Sequence, residues 1–480
     1  FLACALLASA WAASKTSFLV LLVDDTGWAD YSYNGGTAMT PHIDAFAKMP
    51  GSILMNDFHS GGSICSPTRA SVLTGRNPLR DTLSGGVYDC SDPLECTPNF
   101  VFAPNKTFTA PMAVAAADSD YTSFFSGKWH LGSLKNNAAS FGGVASSPAT
   151  HGFDFFNCTL EVAPTMTTNC ECNDAWKPDC QFGHDKGPTH CNGKALPYTG
   201  NNCCFNYWTP DLSNPMGITN HTLETPPDDA EYITEAFTQW LDTQADGRPF
   251  FTQLSFHNCH IPYIGSQFYR DECAAGRACK PGNYSDAQLD FYGCLLMTDA
   301  AIGRVLDILE ARKLRDDTII WLTADNGPET LVHPGSAGPL RGRKRDLWEG
   351  GHRVPGIMSW PARLKGNRIV NQTAVTQDIL ATVLDVLDVE RPASQADWGF
   401  DGMSLVPLFD GEDLPDRGIG WLYSGSESCA YRHGPFKLVY HSKYCTTADC
   451  DTVQLFNLED DLGETKNLAS EAPDLLKCVV

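Results

Sequence analysis

The sequence predicts an α/β fold: a mostly parallel sheet flanked by helices, followed by a small C-terminal subdomain of antiparallel strands. Three observations carry the prediction. Phe18 to Val23 (FLVLLV) is an unbroken apolar run of strand length, as a parallel strand buried on both faces requires. Asp286 to Leu314 is the clearest helix, with Leu295, Ile302, Val305, Leu306 and Leu309 at three-and-four spacing and Arg312 and Lys313 near its end. The strand Thr318 to Leu322 follows directly, and such alternation places helices on both faces of one sheet. Near Phe400 the pattern changes to short strands and turns, as in Phe436 to Tyr440 and Gln454 to Asn457.

The other elements follow in chain order. Phe1 to Ala13 is short, apolar and ends in small residues, so it reads as the tail of a signal peptide with Ala10-Trp11-Ala12 as the cleavage site. It is too short to span a bilayer, and no other apolar stretch is long enough. Thr40 and Pro41 mark a helix start, as N-cap and first-turn residue. Tyr121 to Leu131 reads as a strand entering a loop, and Phe250 to Phe256 as another strand. Residues 158–228 hold cysteines, prolines and asparagines with little periodicity, and read as a disulfide-pinned insertion. The expected division is a catalytic domain over residues 14–400 and a C-terminal subdomain over 401–480. No internal repeat is visible.

Residues 65–76 read Cys-Ser-Pro-Thr-Arg-Ala-Ser-Val-Leu-Thr-Gly-Arg. In a secreted chain a cysteine beside a proline turn is more often buried or disulfide-bonded than reactive. This run, however, resembles the signature of the type I sulfatases, Cys-x-Pro-Ser-Arg, with Thr68 in the serine position. The resemblance implies that a formylglycine-generating enzyme oxidises Cys65 to formylglycine. A hydrated aldehyde carries two hydroxyls on one carbon: one can attack sulfur, and the other can then expel sulfate by re-forming the aldehyde.

Two further features suit that reading. Asp24 and Asp25 follow the first strand at once, and Asp325-Asn326 follows a late one. Ligands gather at the carboxyl ends of strands in open α/β sheets, and four oxygen side chains there suit a hard dication. Taken separately, Asp-Asn-Gly is also a good turn and Asp-Asp a solvated loop. The resemblance implies Ca²⁺, with Mg²⁺ left open, held by Asp24, Asp25, Asp325, Asn326 and the modified residue at Cys65.

Three more segments match family motifs. Gly127-Lys128-Trp129-His130 implies Lys128 on the sulfate and His130 as the base that deprotonates the spare hydroxyl. His260-Ile261-Pro262 implies His260 as a sulfate ligand that helps protonate the leaving oxygen, with His257 as its rival. Arg341-Gly-Arg-Lys344, continuing to Pro355, implies Lys344 on sulfate and leaving group, while Glu349 and Arg353 hold the loop. Arg69 is expected to act on both the metal-proximal carboxylates and the nucleophile. A desolvated lysine with a lowered pKa would serve as an acid.

The likeness runs from about Phe18 to the segment Leu455 to Asn467 and implies an alkaline-phosphatase-like core. It implies hydrolysis of sulfate monoesters, of a sulfated carbohydrate and of aryl sulfates. Two alternatives stand beside it: a phosphonate or phosphodiester hydrolase of the same superfamily, and a non-catalytic relic whose Cys65 stays a thiol.

Bulk numbers bound the setting. A chain of 480 residues, 42% hydrophobic, can bury a large core. Five glycosylation sequons (Asn105, Asn157, Asn220, Asn283, Asn371) and nineteen cysteines point to the secretory pathway, hence a secreted or lysosomal protein. Setting aside Cys4 and Cys65 leaves seventeen cysteines, an odd number, so at least one is unpaired. Cys90/Cys96, Cys273/Cys279 and Cys445/Cys450 are spaced to close small loops. The seven cysteines from Cys158 to Cys204 lie near His151, His184 and His190, but their spacings match no zinc pattern. A net charge of −23 disfavours nucleic acid and anionic membrane as partners. It also means that a site for an anionic ester must concentrate positive charge locally.

Overall fold

The computed structural model describes residues 15–81, 83, 85, 107–132, 146–159, 228–245, 247–261, 263–330, 334–392, 399–423, 428–441 and 452–472, with the backbone of five strands between 181 and 223. The chain opens with β1 (Ser17–Val23), α1 (Pro41–Lys48), β2 (Ser52–Met55), β3 (Phe58–His59) and α2 (Cys65–Thr74). Next come α3 (Ala110–Ala117), β4 (Thr122–Lys128), β5 (Phe155–Thr159), β6 (Gln181–Gly183), β7 (Gly187–Cys191), β8 (Lys194–Ala195), β9 (Phe205–Pro210) and β10 (Ile218–Leu223). They are followed by α4 (Asp229–Asp242), β11 (Phe250–Ser255), α5 (Gln267–Ala274), α6 (Asp286–Ala311), β12 (Thr318–Ala324) and α7 (Glu349–His352). The chain continues with β13 (Gly356–Ser359), β14 (Arg368–Val370), β15 (Ala374–Val375), α8 (Asp378–Leu387), α9 (Val406–Asp410) and β16 to β19 (Gly418–Tyr423, Ser428–His433, Phe436–Tyr440, Val453–Asn457).

The main sheet runs β10-β9-β5-β4-β11-β1-β12-β13-β2-β14. Its centre, β5-β4-β11-β1-β12, is parallel throughout, whereas β13 pairs antiparallel with both β12 and β2. Every residue of β1 is buried, which is what its unbroken apolar run requires. Phe18, Val20 and Leu22 face a core layer shared with α2, α3 and α8. Leu19, Leu21 and Val23 face the other layer, shared with α1, α4 and α6.

Four expectations change in detail. The long helix ends at Ala311, three residues early, because Lys313 turns into the left-handed region (φ 58°). Thr40 precedes α1, but its hydroxyl bonds Ser32, accepting also from the Ser32 N–H, and Asp44, and caps no N–H of the helix. The 158–228 segment is not without regular structure: β9 and β10 extend the main sheet, antiparallel, beyond β5. A short helix, α9, precedes the C-terminal strands.

The C-terminal strands form an antiparallel sheet in the order β16-β17-β18-β19. Trp421, Ala430, Val439 and Phe456 of this sheet pack on Leu347 and Val375, so the sheet backs the loop that carries Lys344. Cys273 and Cys279 form the disulfide that their spacing suggested. Cys65, Cys158, Cys259 and Cys429 form no disulfide among the described residues. Cys90/Cys96, Cys445/Cys450 and His184 lie outside the described residues, and no side chain of His190 is described. Among the described residues no helix is long and apolar enough to cross a membrane.

Candidate active site

Register brings the chemistry together. β1 pairs with β12 through Val23 and Ala324, so Asp24 and Asp325 emerge side by side at the carboxyl ends of two strands. On the other flank β11 pairs with β4, which ends at Lys128, and residues 257–260 follow β11. Gly127 permits that pairing: at φ 98°, a Cβ there would stand 2.0 Å from the Ser255 carbonyl oxygen. Asp25, His130 and Cys259 all hold positive φ (46°, 53° and 78°), a strained backbone concentrated at this edge.

Cys65 is the first residue of α2 and 2% exposed. The loop before it is pinned by Thr68, whose hydroxyl donates to Gly62 O and accepts from Gly62 N, each at 3.1 Å. Threonine in the serine position therefore still does the work of a hydroxyl. Gly75 ends the helix in the left-handed region. One turn in from Cys65, the Arg69 Nε and Nη2 donate to Asp325 Oδ2 at 3.1 and 2.7 Å, and Nη1 donates to Lys128 O at 2.8 Å. Arg69 Nη2 also lies 3.5 Å from Asp24 Oδ2.

The two lysines each take one aspartate. Lys128 Nζ is 2.5 Å from Asp24 Oδ2 and 3.6 Å from Cys65 Sγ. Lys344 Nζ is 2.6 and 2.8 Å from the two oxygens of Asp25, and 3.3 Å from Glu329 Oε2. Asn326 Nδ2 donates to Asp25 Oδ1 at 2.7 Å. His260 Nδ1 donates to Ile261 O at 2.6 Å, leaving Nε2 3.8 Å from Asp25 Oδ2. Ligand atoms of Asp24, Asp25, Cys65 and His260 all lie within 4.8 Å of one another.

A hard cation fits this donor set. Asp24, Asp25, Asp325 and Asn326 are fully buried oxygen donors. Asn326 Oδ1 is buried without a hydrogen bond to the described residues, whereas its amide nitrogen is used twice. Three carboxylates face three permanent cations, Arg69, Lys128 and Lys344, so the set is close to neutral and a dication would make it attractive to an anion.

Burial dominates the titration of these groups. It pushes Asp25 up to about 7 against the pull of Lys344, with Asp24, Glu329 and Asp325 adding to the rise. Burial would also raise Asp24, but the cations around it, Lys128 first and then Arg69 and Lys344, hold it well below the usual carboxylate range. Burial, then Lys128, lowers both His130 and His260, so both imidazoles are neutral. Burial raises the Cys65 thiol.

One expectation is overturned here. Burial is the largest influence and would lower a lysine, yet Lys128 and Lys344 are both raised, because their acidic neighbours together, Asp24 foremost for Lys128 and Asp25 foremost for Lys344, outweigh it. Neither is an acid near neutral pH.

The structure also separates the two histidines after β11. His257 is clamped, Nδ1 at 2.8 Å from Asp229 and Nε2 at 2.6 Å from Thr159, while His260 reaches the cluster. The expected loop-holding residues do that: Arg353 Nη1 is 3.0 Å from Asp57 and 3.4 Å from Glu349, and Lys437 of β18 lies 2.9 Å from Glu349. Glu329 was missed from sequence. It sits four residues after Asp325 in Asp-Asn-Gly-Pro-Glu and joins Lys344 to Arg345, but a lone acid in a turn carries no periodic signal. A separate cavity of about 440 Å³, lined by His42, Asp228, Tyr269 and Arg304 among others, shares no residue with the cluster.

Comparison with known proteins agrees. The sulfatase family model matches residues 16–389. The chain is 29% identical to arylsulfatase A of Bos taurus, over 99% of this chain and 88% of that one. It is 28% identical to N-acetylgalactosamine-6-sulfatase of Canis lupus familiaris, over 90% of this chain and 73% of that one. In fold it is similar to the crystal structure of Ps i-CgsB in complex with k-i-k-neocarrahexaose, with a TM-score of 0.72 at 20% identity, covering 97% of this chain and 91% of that one. The chain belongs to the sulfatase family, a family of sulfuric ester hydrolases with an alkaline-phosphatase-like fold.

Proposed function

We propose that this sulfatase cleaves sulfate monoesters of a carbohydrate, and aryl sulfates as simpler substrates, with residues 14–400 as the catalytic unit and 401–480 as its support. The observation that carries the mechanism is the cluster itself. Cys65 lies among Asp24, Asp25, Asp325 and Asn326 with Arg69, Lys128 and Lys344 as counter-charges. The Cys65 sulfur stands in for the oxygens of formylglycine. When present, formylglycine supplies a hydrated aldehyde as nucleophile, and Ca²⁺ or Mg²⁺, held by the four oxygen side chains and residue 65, neutralises charge.

The chain's own residues do the rest. Arg69 fixes Asp325 and the end of β4. Lys128, next to residue 65 and always charged, holds a sulfate oxygen. Neutral His130 takes the proton of the spare hydroxyl. Lys344 stays an ammonium and acts on the sulfate and the leaving oxygen through charge. The Nδ1–H of His260 is committed to Ile261 O, so any proton for the leaving oxygen comes from Nε2 of the imidazolium, a form that a bound anion favours.

Maturation in the secretory pathway, by a formylglycine-generating enzyme, is supported by the Cys273–Cys279 disulfide and by exposed sequons at Asn283 and Asn371. Asn157, in contrast, is half-buried and donates to Tyr232 Oη, which argues against a glycan there in the folded state. The carbohydrate preference is supported by the N-acetylgalactosamine-6-sulfatase relative and by the oligosaccharide-bound neighbour.

The test is turnover of p-nitrophenyl sulfate beside the matched phosphate monoester, phosphodiester and phosphonate. Preference for the sulfate supports the reading. Preference for a phosphorus ester assigns the chain to the other hydrolytic activity, and no turnover of any ester by matured protein assigns it to the relic class.

A further inference from the structure

The basic run Arg341-Gly-Arg-Lys-Arg345 contains four cations in five residues, of which two are spent on the fold and one, Lys344, belongs to the cluster already described. Arg341 stacks over Trp348 at 4.0 Å and donates to Glu464 O. Arg343 donates to the carbonyls of Glu329 and Gly335. Lys344 sits on Asp25, 2% exposed. Arg345 differs in three respects. Its side chain is 32% exposed. Its backbone is left-handed at φ 76°, a costly conformation for a residue with a Cβ, and is held there by its N–H donating to Ser63 O at 2.7 Å, two residues before Cys65.

The third difference is chemical. Both Arg345 hydrogen bonds to described residues use one nitrogen: Nη1 donates to Glu329 Oε1 at 2.6 Å and Thr330 Oγ1 at 3.2 Å. The Nε–Nη2 edge makes no hydrogen bond to the described residues. That edge is the planar fork that binds carboxylate or sulfate through two parallel hydrogen bonds. Glu329 braces the guanidinium from behind and contacts Lys344 as well, so the fork is tied to the residue facing the scissile ester.

We propose that Arg345 is a specificity-determining residue that reads a second anionic group, sulfate or carboxylate, on the sugar bearing the scissile sulfate. The preferred substrate is then a doubly anionic saccharide. This rests on the sulfatase reading above and deepens it. An unsubstituted aryl sulfate offers the fork nothing.

The experiment compares kcat and KM of wild type, Arg345→Ala and Arg345→Gln on three sulfate esters. These are a neutral sugar monosulfate, a disulfated monosaccharide, and a sulfated disaccharide containing a uronic acid. Wild type should favour one or both dianions over the monosulfate. In the variants the dianion-to-monoanion ratio of kcat/KM should fall about tenfold or more, mainly through KM, as loss of a charge-assisted pair implies. Which dianion loses more identifies sulfate or carboxylate as the second group. Arg345→Gly, which relaxes the left-handed backbone, covers the case in which Ala or Gln prevents folding. A ratio unchanged within twofold in folded variants overturns the proposal, whereas wild type inert on all three esters overturns the underlying activity instead.

Discussion

Lys128→Met removes one ammonium and keeps most of the side-chain volume in a slot that is 0% exposed. The ammonium is 3.6 Å from the sulfur of Cys65 and 2.5 Å from Asp24. At an effective dielectric of about 20, a unit charge roughly 4 Å from developing charge is worth about 4 kcal/mol. Loss of a single donor aimed at a transition-state oxygen typically costs about 10² to 10³ in kcat. These two estimates agree, and set the expected fall in kcat on p-nitrophenyl sulfate at about a hundredfold or more. Lys128→Arg should not restore the rate, because a planar guanidinium does not fit a slot closed around an ammonium. Asp24 would keep Arg69 at 3.5 Å, so the variant should still fold, which circular dichroism checks. A folded Lys128→Met within tenfold of the wild-type kcat would refute the assigned role.

Two predictions concern stability. Burial pushes Asp30 and Glu464 up to about 7 and Asp228 and Asp299 up to about 6, so between about pH 4 and 7 the folded chain holds protons that the unfolded chain has released. That stabilisation is complete below the unfolded pKa values and is lost as pH rises through the folded ones. Read by difference in melting temperature, wild type should lose stability relative to Asp30→Asn, which has no titrating group at that position, as pH rises from 5 to 8; a wild type that gains on the variant over this interval would contradict the sign. Lys437→Met leaves Glu349 and Glu464 buried without the ammonium that lies 2.9 and 3.0 Å from them. Removing one partner of a buried ion pair costs about 3–5 kcal/mol, so urea unfolding should shift clearly; an unchanged midpoint would mean that the network is redundant.

How much of this was legible in the sequence depends on the range of the signal. β1, β12 and α6 were readable because their apolar periodicity is local and long. The residues expected at the site could be picked out because they sit in compact motifs, of which Asp24-Asp25 and Asp325-Asn326 directly follow strands. What escaped depends on contacts between distant segments. Lysine burial was foreseeable, but the opposing pull of Asp24 and Asp25 requires knowing that residues 104 and 319 positions apart touch. That His257 is held by Asp229 and Thr159 while His260 reaches the cluster depends on two residues that lie in no motif. The strands β9 and β10 lacked a clear alternating pattern, and only their pairing at the sheet edge reveals them.

Mass measurement of the proteolytic peptide that contains residue 65, from protein matured in its own secretory route and assayed in parallel, addresses the nucleophile itself. The expected outcome is a peptide lighter than the thiol form, as an aldehyde would be, in a proportion that tracks specific activity across preparations. Fully active protein in which residue 65 is entirely unmodified cysteine would contradict the account.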